Sequence, residues 1–296
     1  MKKQTKAYIF AGLSILLWAT AASAFKITLR YIDYVRMLLI SSLVSLITLL
    51  SIILVTNKFF LLKTINSKEL IKSLSLGIFN PFLYYLILFK AYSLLPAQLA
   101  QPLNFVWPIM IVLLSIPILG QKIKLKKIIA VLISFIGIII ISTKGNITKL
   151  DFVHPWGVFL AVFSSIIWAL FWILNVKDKK DIIIKLFLNF TSGTILIFII
   201  FLVGNKNGSF NLPGLLGAIY IGLFEMGITF VVWLKALSLS KTTAEVSNFI
   251  YLTPFMSLVF IHFIVGEAIH IATILGLIFI VTGIFLQKET KHKLVN

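Results

Sequence analysis

Cysteine is absent from the 296 residues, which excludes disulfides, thiol catalysis and thiolate metal sites. Acidic side chains are scarce, with nine Asp and Glu against 27 Lys and Arg, and there are only four His. These His and acidic residues show no metal-ligand spacing, and the sequence contains no Gly-rich phosphate loop and no nucleophile elbow. We therefore predict no metal, no cofactor and no catalytic residue, and the pattern disfavours a lipid-modifying membrane enzyme.

Apolar side chains dominate the composition, with 60% hydrophobic and 12% charged residues and a mean hydropathy of +1.07. A soluble domain of this length cannot bury so much apolar surface, so lipid must cover it. A net charge of +18 would suggest nucleic acid in a soluble protein, but here the lysines lie between long apolar runs. We interpret the charge as membrane topology, with the lipid bilayer as partner and no nucleic acid.

Ten apolar runs are long enough to cross the hydrocarbon core of a bilayer, which takes a helix of about 20 residues. They lie near 6–26, 33–56, 70–90, 95–118, 125–144, 156–175, 182–204, 213–235, 242–265 and 270–287. The linkers between them are short and leave no room for a soluble domain. We therefore predict an all-α integral membrane protein with ten transmembrane helices.

The two halves of the chain repeat one another. Equivalent pairs lie 145 to 150 residues apart: Gly77/Gly222, Lys90/Lys235, Pro108/Pro254, Gly137/Gly283 and Trp18/Trp168. We divide the chain into repeats at 1–150 and 151–296, each with five predicted helices. Because five is odd, the second repeat enters the membrane upside down, which gives two inverted-topology halves around a central cavity. Such halves commonly enclose a substrate path, so the repeat points to transport.

The distribution of lysine predicts the orientation of the chain. With the N-terminus in the cytoplasm, the cytoplasmic segments carry 20 of the 27 Lys and Arg residues. Basic residues are enriched in cytoplasmic loops, so we predict that both termini are cytoplasmic. The Ala-Ser-Ala sequence at 22–24 also fits a signal-peptide cleavage site. We interpret the first run as a retained helix, because it matches its copy at Ser164, Trp168 and Ala169.

Glu225 lies near the middle of the eighth predicted helix, where a carboxylate costs about 2.5–3.5 kcal/mol. Either it binds a proton or the substrate in a wet cavity, or it is a structural carboxyl hydrogen-bonded to neighbouring helices. Its repeat partner is Asn80, so only the second half has an ionisable group at this position. Glu245 is either functional or a helix-end acid paired with Lys241, and we favour the helix-end acid.

Polar side chains follow a three-residue spacing along the fourth helix, at Gln98, Gln101 and Asn104, and Trp107 continues the stripe. Two prolines in this helix free backbone carbonyls, which a membrane protein tolerates where protein or water satisfies them. The stripe either lines a cavity for a small polar solute or forms interhelical hydrogen bonds. The ninth helix carries a similar stripe.

Several short motifs occur in order: Trp18-Ala19, Asn104-Phe-Val-Trp107-Pro108, Trp168-Ala169, Lys235-Ala-Leu-Ser238 and Tyr251-Leu-Thr-Pro254. Together they resemble a ten-helix member of the drug/metabolite transporter superfamily with two EamA-type halves, over about residues 8–288. The Asn-Phe-Val-Trp-Pro segment is also similar to the Asn-Tyr-Leu-Trp-Pro of bacterial aromatic amino acid exporters, although Phe105 lacks the tyrosine hydroxyl. The resemblance implies a basket-like bundle whose central cavity moves amino acids or related metabolites, usually outward.

These observations predict a secondary transporter in a bacterial cytoplasmic membrane that exports amino acids or related metabolites by alternating access. Glu225 is a candidate for coupling transport to protons, and the oligomeric state is left open. Uptake of a metabolite such as a nucleoside derivative, drug export, and a non-transporting scaffold stay as alternatives. The predicted substrate-binding residues are Trp18, Asn80, Tyr84, Gln98, Gln101, Asn104, Trp107, Trp168, Glu225, Thr229, Asn248 and Tyr251.

Overall fold

A computed structural model describes residues 3–119, 125–146, 154–176, 180–204, 211–240 and 248–287. Within these ranges all regular structure is helical. Spans 1, 2, 5, 6, 7 and 10 are unbroken α-helices, at Lys3–Thr28, Tyr34–Val55, Leu125–Ser142, Pro155–Val176, Ile182–Val203 and Ile271–Gln287.

The other four spans are interrupted. Span 3 joins Ser67–Gly77 to Tyr84–Leu94 through a π-helical turn at Ile78–Leu83, and span 8 joins Leu212–Tyr220 to Ile228–Leu239 through a π-helical turn at Ile221–Glu225. Span 4 consists of Ala97–Asn104 and Trp107–Leu119, and span 9 of Asn248–Leu252, Thr253–Phe260 and Ile261–Val265. A short helix at Phe60–Lys63 precedes span 3.

Seven of the described helices, spans 1 to 4 and 6 to 8, are long and apolar enough to cross a membrane. Three shorter apolar helices occupy spans 5, 9 and 10. Together they coincide with the ten predicted runs, which confirms the all-α membrane fold. The prolines of span 4 indicate that its hydrogen bonding is interrupted, and the structure breaks this helix between Asn104 and Trp107. The breaks in spans 3, 8 and 9 were not predicted, because a run keeps its apolar composition when its helix is interrupted.

The helix starts repeat between the two halves. Asp33 and Asp181 cap spans 2 and 7, and Asn66 and Asn211 cap spans 3 and 8. Each side chain accepts a hydrogen bond from a backbone N–H in the first turn, where the helix offers no partner of its own. The Asp pair lies 148 residues apart and the Asn pair 145 residues apart, so residues at about the repeat spacing cap equivalent helices.

Two glycines allow helices from opposite halves to touch. A Cβ on Gly77 would lie 2.2 Å from the carbonyl oxygen of Asn189 in span 7. A Cβ on the repeat partner Gly222 would lie 2.5 Å from the carbonyl oxygen of Ser41 in span 2. Only glycine fits at such distances, so span 3 packs on span 7 and span 8 packs on span 2.

Serine hydroxyls reinforce both contacts. Ser192 of span 7 donates to the Leu74 carbonyl oxygen at 2.6 Å, and Ser45 of span 2 donates to the Met226 carbonyl oxygen at 2.8 Å. Hydrogen bonds between helices in lipid are worth about 1 kcal/mol each. Span 3 therefore packs mainly on spans 6 and 7 of the second half, and span 8 packs mainly on spans 1 and 2 of the first half. Spans 5 and 10 pack against each other.

We predict that Gly77→Ala destabilises the protein by about 1–3 kcal/mol, because the added methyl group overlaps the backbone of span 7. Gly12→Ala is the matched control: it changes a glycine in span 1 that has nothing within 4 Å of an added Cβ. Thermal unfolding of the purified protein in detergent measures both. Equal melting temperatures for the two variants would contradict the close contact.

Candidate functional site

A cavity of about 530 Å³ lies at the centre of the bundle, and spans 1, 3, 4, 6, 8 and 9 all contribute to its lining. Both halves therefore share it. Its size falls in the range of small-molecule sites, which is about 300–1,000 Å³. Eight of the residues predicted from the sequence line it: Trp18, Tyr84, Gln101, Asn104, Trp107, Trp168, Glu225 and Tyr251.

Aromatic rings form most of the wall of the cavity. Five of the six tryptophans of the chain line it, at positions 18, 107, 168, 172 and 233. Trp18 packs against Trp233, with ring centroids 5.6 Å apart, and Tyr84 stacks on Trp168 at 4.5 Å. These pairs join span 1 to span 8 and span 3 to span 6. The wall is thus a set of rigid rings contributed from both halves.

The break in span 8 presents Glu225 to the cavity. Glu225 ends the π-helical turn Ile221–Glu225, and α-helix resumes only at Ile228. The Tyr85 hydroxyl donates to Glu225 Oε1 at 3.2 Å. Thr229 donates a short hydrogen bond to the Phe224 carbonyl oxygen and so satisfies a backbone group that the break frees. Helix interruptions of this kind are frequent at functional sites.

Asn104 connects three spans beside the cavity. The Tyr84 hydroxyl donates to Asn104 Oδ1 at 3.3 Å, and Asn104 Nδ2 donates to Ser164 Oγ at 2.8 Å. The amide is thus paired on both sides, which fixes its orientation. Asn104 therefore holds Tyr84 of span 3 and Ser164 of span 6 against span 4, besides lining the cavity.

Three other polar atoms on the cavity lining have no hydrogen-bond partner in the described part of the chain: Gln101 Oε1, Trp172 Nε1 and Thr253 Oγ1. They offer an acceptor, a donor and a hydroxyl that can do either. Buried polar atoms are normally paired, so three unpartnered ones in residues around a single cavity are unusual, although the atoms themselves are buried within the lining. Among the described residues no three His, Cys, Asp or Glu side chains come together to hold a metal ion.

One end of the cavity is closed by contacts between the halves. The Glu267 carboxylate accepts the backbone N–H groups of Ala97 and Gln98, at 2.8 and 3.0 Å, where span 4 begins. Gln98 Nε2 donates to the Ala268 carbonyl oxygen at 2.7 Å, and Gln98 Oε1 accepts from the His270 N–H at 2.9 Å. A carboxylate at a helix N-terminus is electrostatically favourable. These four hydrogen bonds form a latch at what we call the Glu267 end.

Cationic and aromatic side chains complete the closure. Lys26 Nζ donates to the carbonyl oxygens of Tyr92 and Leu95, at 3.0 and 2.6 Å, and Arg30 donates to a carbonyl oxygen of span 9 at 2.9 Å. Below them Phe25 packs edge-on against Tyr92. In the other direction the lining continues to Leu237, two residues before span 8 ends. The cavity therefore reaches this opposite, Leu237 end of the bundle.

The family of the chain follows from comparison with known sequences. The sequence profile of the EamA-like transporter family matches residues 5–143 and 155–287. The chain belongs to the EamA-like transporter family.

Individual relatives agree with this assignment. A protein of Archaeoglobus fulgidus described as an uncharacterised transporter is 23% identical over 287 residues, which are 95% of this chain and 98% of the relative. The uncharacterised transporter YvbV of Bacillus subtilis is 26% identical over 73% of this chain and 71% of its own length. A crystallised protein with 17% identity shares the fold, with a TM-score of 0.63 over 95% of this chain and 96% of its own.

Three predicted residues lie away from the cavity of this EamA-like transporter. Asn80 is fully buried in the π-helical turn of span 3, where its φ of −143° and ψ of 121° turn it off the helical face of Tyr84. Gln98 lies in the latch, and the buried Thr229 bonds the backbone at the break in span 8. The side chain of Asn248 is outside the described part of the structure, as is the whole of Glu245.

Several residues of the site were not predicted. Trp172 and Trp233 were not singled out, because tryptophan is common at membrane surfaces and in helix packing. Trp172 follows Trp168 by four residues, which is the spacing of one helix face, so this signal was available. Glu267 and Tyr85 were not singled out either. Their roles depend on partners 140 or more residues away along the chain.

We predict that Glu267→Ala opens the Glu267 end of this EamA-like transporter. The chain has no cysteine, so Ala22→Cys, in the cavity lining, provides a single label site. A membrane-impermeant thiol reagent applied from the Glu267 side should modify Ala22→Cys slowly in the parent. With Glu267→Ala the labelling should be roughly two- to thirtyfold faster, because the loss of a helix-terminal acceptor costs about 0.5–2 kcal/mol.

The matched control for this test is Glu69→Ala. Glu69 also bonds a backbone N–H at a helix start, in the capping box of span 3, but it lies outside the cavity and the latch. It should leave the labelling rate unchanged. If Glu267→Ala labels no faster than Glu69→Ala, the latch does not close the cavity.

Proposed function

We propose that this EamA-like transporter exports amino acids and related metabolites that carry an amino group, by alternating access. The observation that supports the proposal is the central cavity, in which five tryptophans surround one carboxylate, Glu225, and three unpartnered polar atoms. Apolar walls with a few placed polar groups suit a small amphipathic solute. A carboxylate deep in a membrane protein is expensive and commonly has a functional role.

Alternating access is supported by the repeated contacts of the two halves. We propose that residues 1–150 and 151–296 are inverted five-helix repeats, related by an axis in the membrane plane. Asp33 and Asp181 cap equivalent helices, and Gly77 and Gly222 make equivalent contacts. Two halves of this kind can exchange their conformations, which closes one end of the path and opens the other. The Glu267 latch consists of hydrogen bonds, so it can break and form again within one transport cycle.

The proposed direction rests on the distribution of basic residues. With both termini in the cytoplasm of a bacterial cell, the Leu237 end of the cavity faces the cytoplasm and the latched Glu267 end faces outward. The structure then corresponds to a state that loads solute from inside the cell, which is the loading state of an exporter.

We predict the topology from two exposed positions. Thr64→Cys, before span 3, should resist an impermeant thiol reagent in intact cells and react after permeabilisation. Lys144→Cys, after span 5, should react in intact cells. The cysteine-free parent is the background control. The reverse labelling pattern would place the termini outside and contradict the proposed orientation.

We propose that a gradient, of an ion or of the solute itself, drives transport, since the sequence has no phosphate-binding loop for ATP. We propose that Glu225 releases a proton when the substrate binds and takes one up when the substrate leaves. The Tyr85 hydroxyl donates to one carboxylate oxygen and holds it in the cavity, while the rest of the acceptor capacity faces the lining.

We predict that Glu225→Gln abolishes the effect of a pH gradient on transport. In proteoliposomes, a gradient should change phenylalanine or phenethylamine flux in the parent by at least roughly tenfold, which corresponds to about 1.4 kcal/mol. Glu225→Gln should show no such change, while Glu69→Gln should behave like the parent. A full gradient response in Glu225→Gln would rule out the proton role. Parent proteoliposomes that carry neither compound, as measured by counterflow, would contradict the proposed function.

A further inference from the structure

The described lining of the cavity carries charge of one sign. Of the described residues that line it, Glu225 is the single charged side chain. Lys26 and Arg30 lie in the closed Glu267 end and already donate to backbone carbonyl oxygens. A bound zwitterion would therefore find an opposite charge for its ammonium group and, among the described lining residues, no cation for its carboxylate. Burial of an unpaired carboxylate is costly, because charge is poorly solvated in an apolar site.

Backbone groups do not replace the missing cation. Helix N-termini are the usual backbone site for a carboxylate, since their first N–H groups are free. Three helices begin at residues of the cavity lining. In Tyr84–Leu94 the first N–H is used, because it donates to the Phe79 carbonyl oxygen. The other two are Trp107–Leu119 and Thr253–Phe260. Each has proline at its second position, Pro108 and Pro254, so one of the first N–H donors is missing in both. The Ile109 N–H is also used, because it donates to the Val106 carbonyl oxygen at 2.9 Å.

The aromatic wall, in contrast, favours a positive charge. The π-face of an aromatic ring is electron-rich, and cages of such rings are a known way to bind ammonium groups. Trp18 has Phe230 and Trp233 as ring neighbours at 5.7 and 5.6 Å, and Trp168 has Phe230 at 6.0 Å. These four rings lie on the same cavity lining as Glu225. The Glu225 carboxylate and the faces of these rings both attract an ammonium group.

The Glu225 carboxylate can accept further hydrogen bonds. It has acceptor capacity left after the bond from Tyr85. An ammonium group has three donors, so it can bond the carboxylate and still present its charge to a ring.

We infer that the central cavity selects monovalent organic cations: an amine joined to an aromatic or apolar body, without a free carboxylate. This inference rests on the proposed transport function and narrows its substrate class. Within the amino-bearing metabolites, it ranks amines, amino amides and amino esters above the parent amino acids. The cavity volume of about 530 Å³ accommodates a body of one or two rings.

The test compares compounds that share a phenyl group and differ in charge. Binding of phenethylamine, phenylalanine amide, phenylalanine, 2-phenylethanol and 3-phenylpropionate to the purified full chain is measured by calorimetry and by thermal shift. The amine and the amide should bind at least roughly tenfold tighter than phenylalanine, with the alcohol and the acid weaker still. In Glu225→Gln the preference for the amine over the alcohol should disappear, whereas Glu69→Gln should keep it.

The possible outcomes are distinct. Tighter binding of phenylalanine than of its amide would overturn the cation inference and leave amino-acid export in place. Equal binding of phenethylamine and 2-phenylethanol would show that charge does not matter and would also overturn it. A Glu225→Gln protein that melts like the parent yet keeps the amine preference would remove Glu225 as its source. If no compound binds and none undergoes counterflow, the proposed function itself fails.

Discussion

Lipid cannot satisfy a free backbone group, and this constraint governs the centre of the bundle. Four spans are interrupted there, so carbonyl and N–H groups become free at the depth of the cavity. At the break in span 8, Ser45 donates to the Met226 carbonyl oxygen and Thr229 to that of Phe224. The first of these donors comes from the opposite half. The interruption that exposes Glu225 is thus tolerable only because span 2 lies against it, through the close contact at Gly222.

The halves share a fold but differ where the chemistry lies. Both have a π-helical turn at the equivalent place in spans 3 and 8. One turn carries Asn80, fully buried away from the cavity, and the other carries Glu225 on the cavity lining. Repetition of the backbone provides two similar arrangements that can alternate, while the single acid gives the site its charge. An acid at position 80 would instead be buried within the protein, where an unpaired carboxylate is costly.

Hydropathy and the internal repeat were sufficient to predict the ten spans, because a helix that crosses the lipid needs a run of about 20 apolar residues. Most of the predicted cavity residues, such as Trp107 and Asn104, line it as expected from their helix face. Gln98 does not, because the three-residue stripe continues beyond the end of the cavity into the latch. Asn80 does not, because a face can be read from spacing only along a continuous helix. Glu267 and Tyr85 depend on distant partners, which local sequence does not reveal.

The packing of span 3 on the second half also constrains the order in which the protein folds during synthesis. Gly77 is synthesised more than 100 residues before Asn189, the residue that it touches in span 7. Until span 7 enters the membrane, Gly77 and the buried Asn80 near it lack the surface of span 7 on which this segment packs. The first half therefore cannot finish folding as it leaves the ribosome. Assembly in the bilayer is completed by the second half, so the two halves mature as one unit.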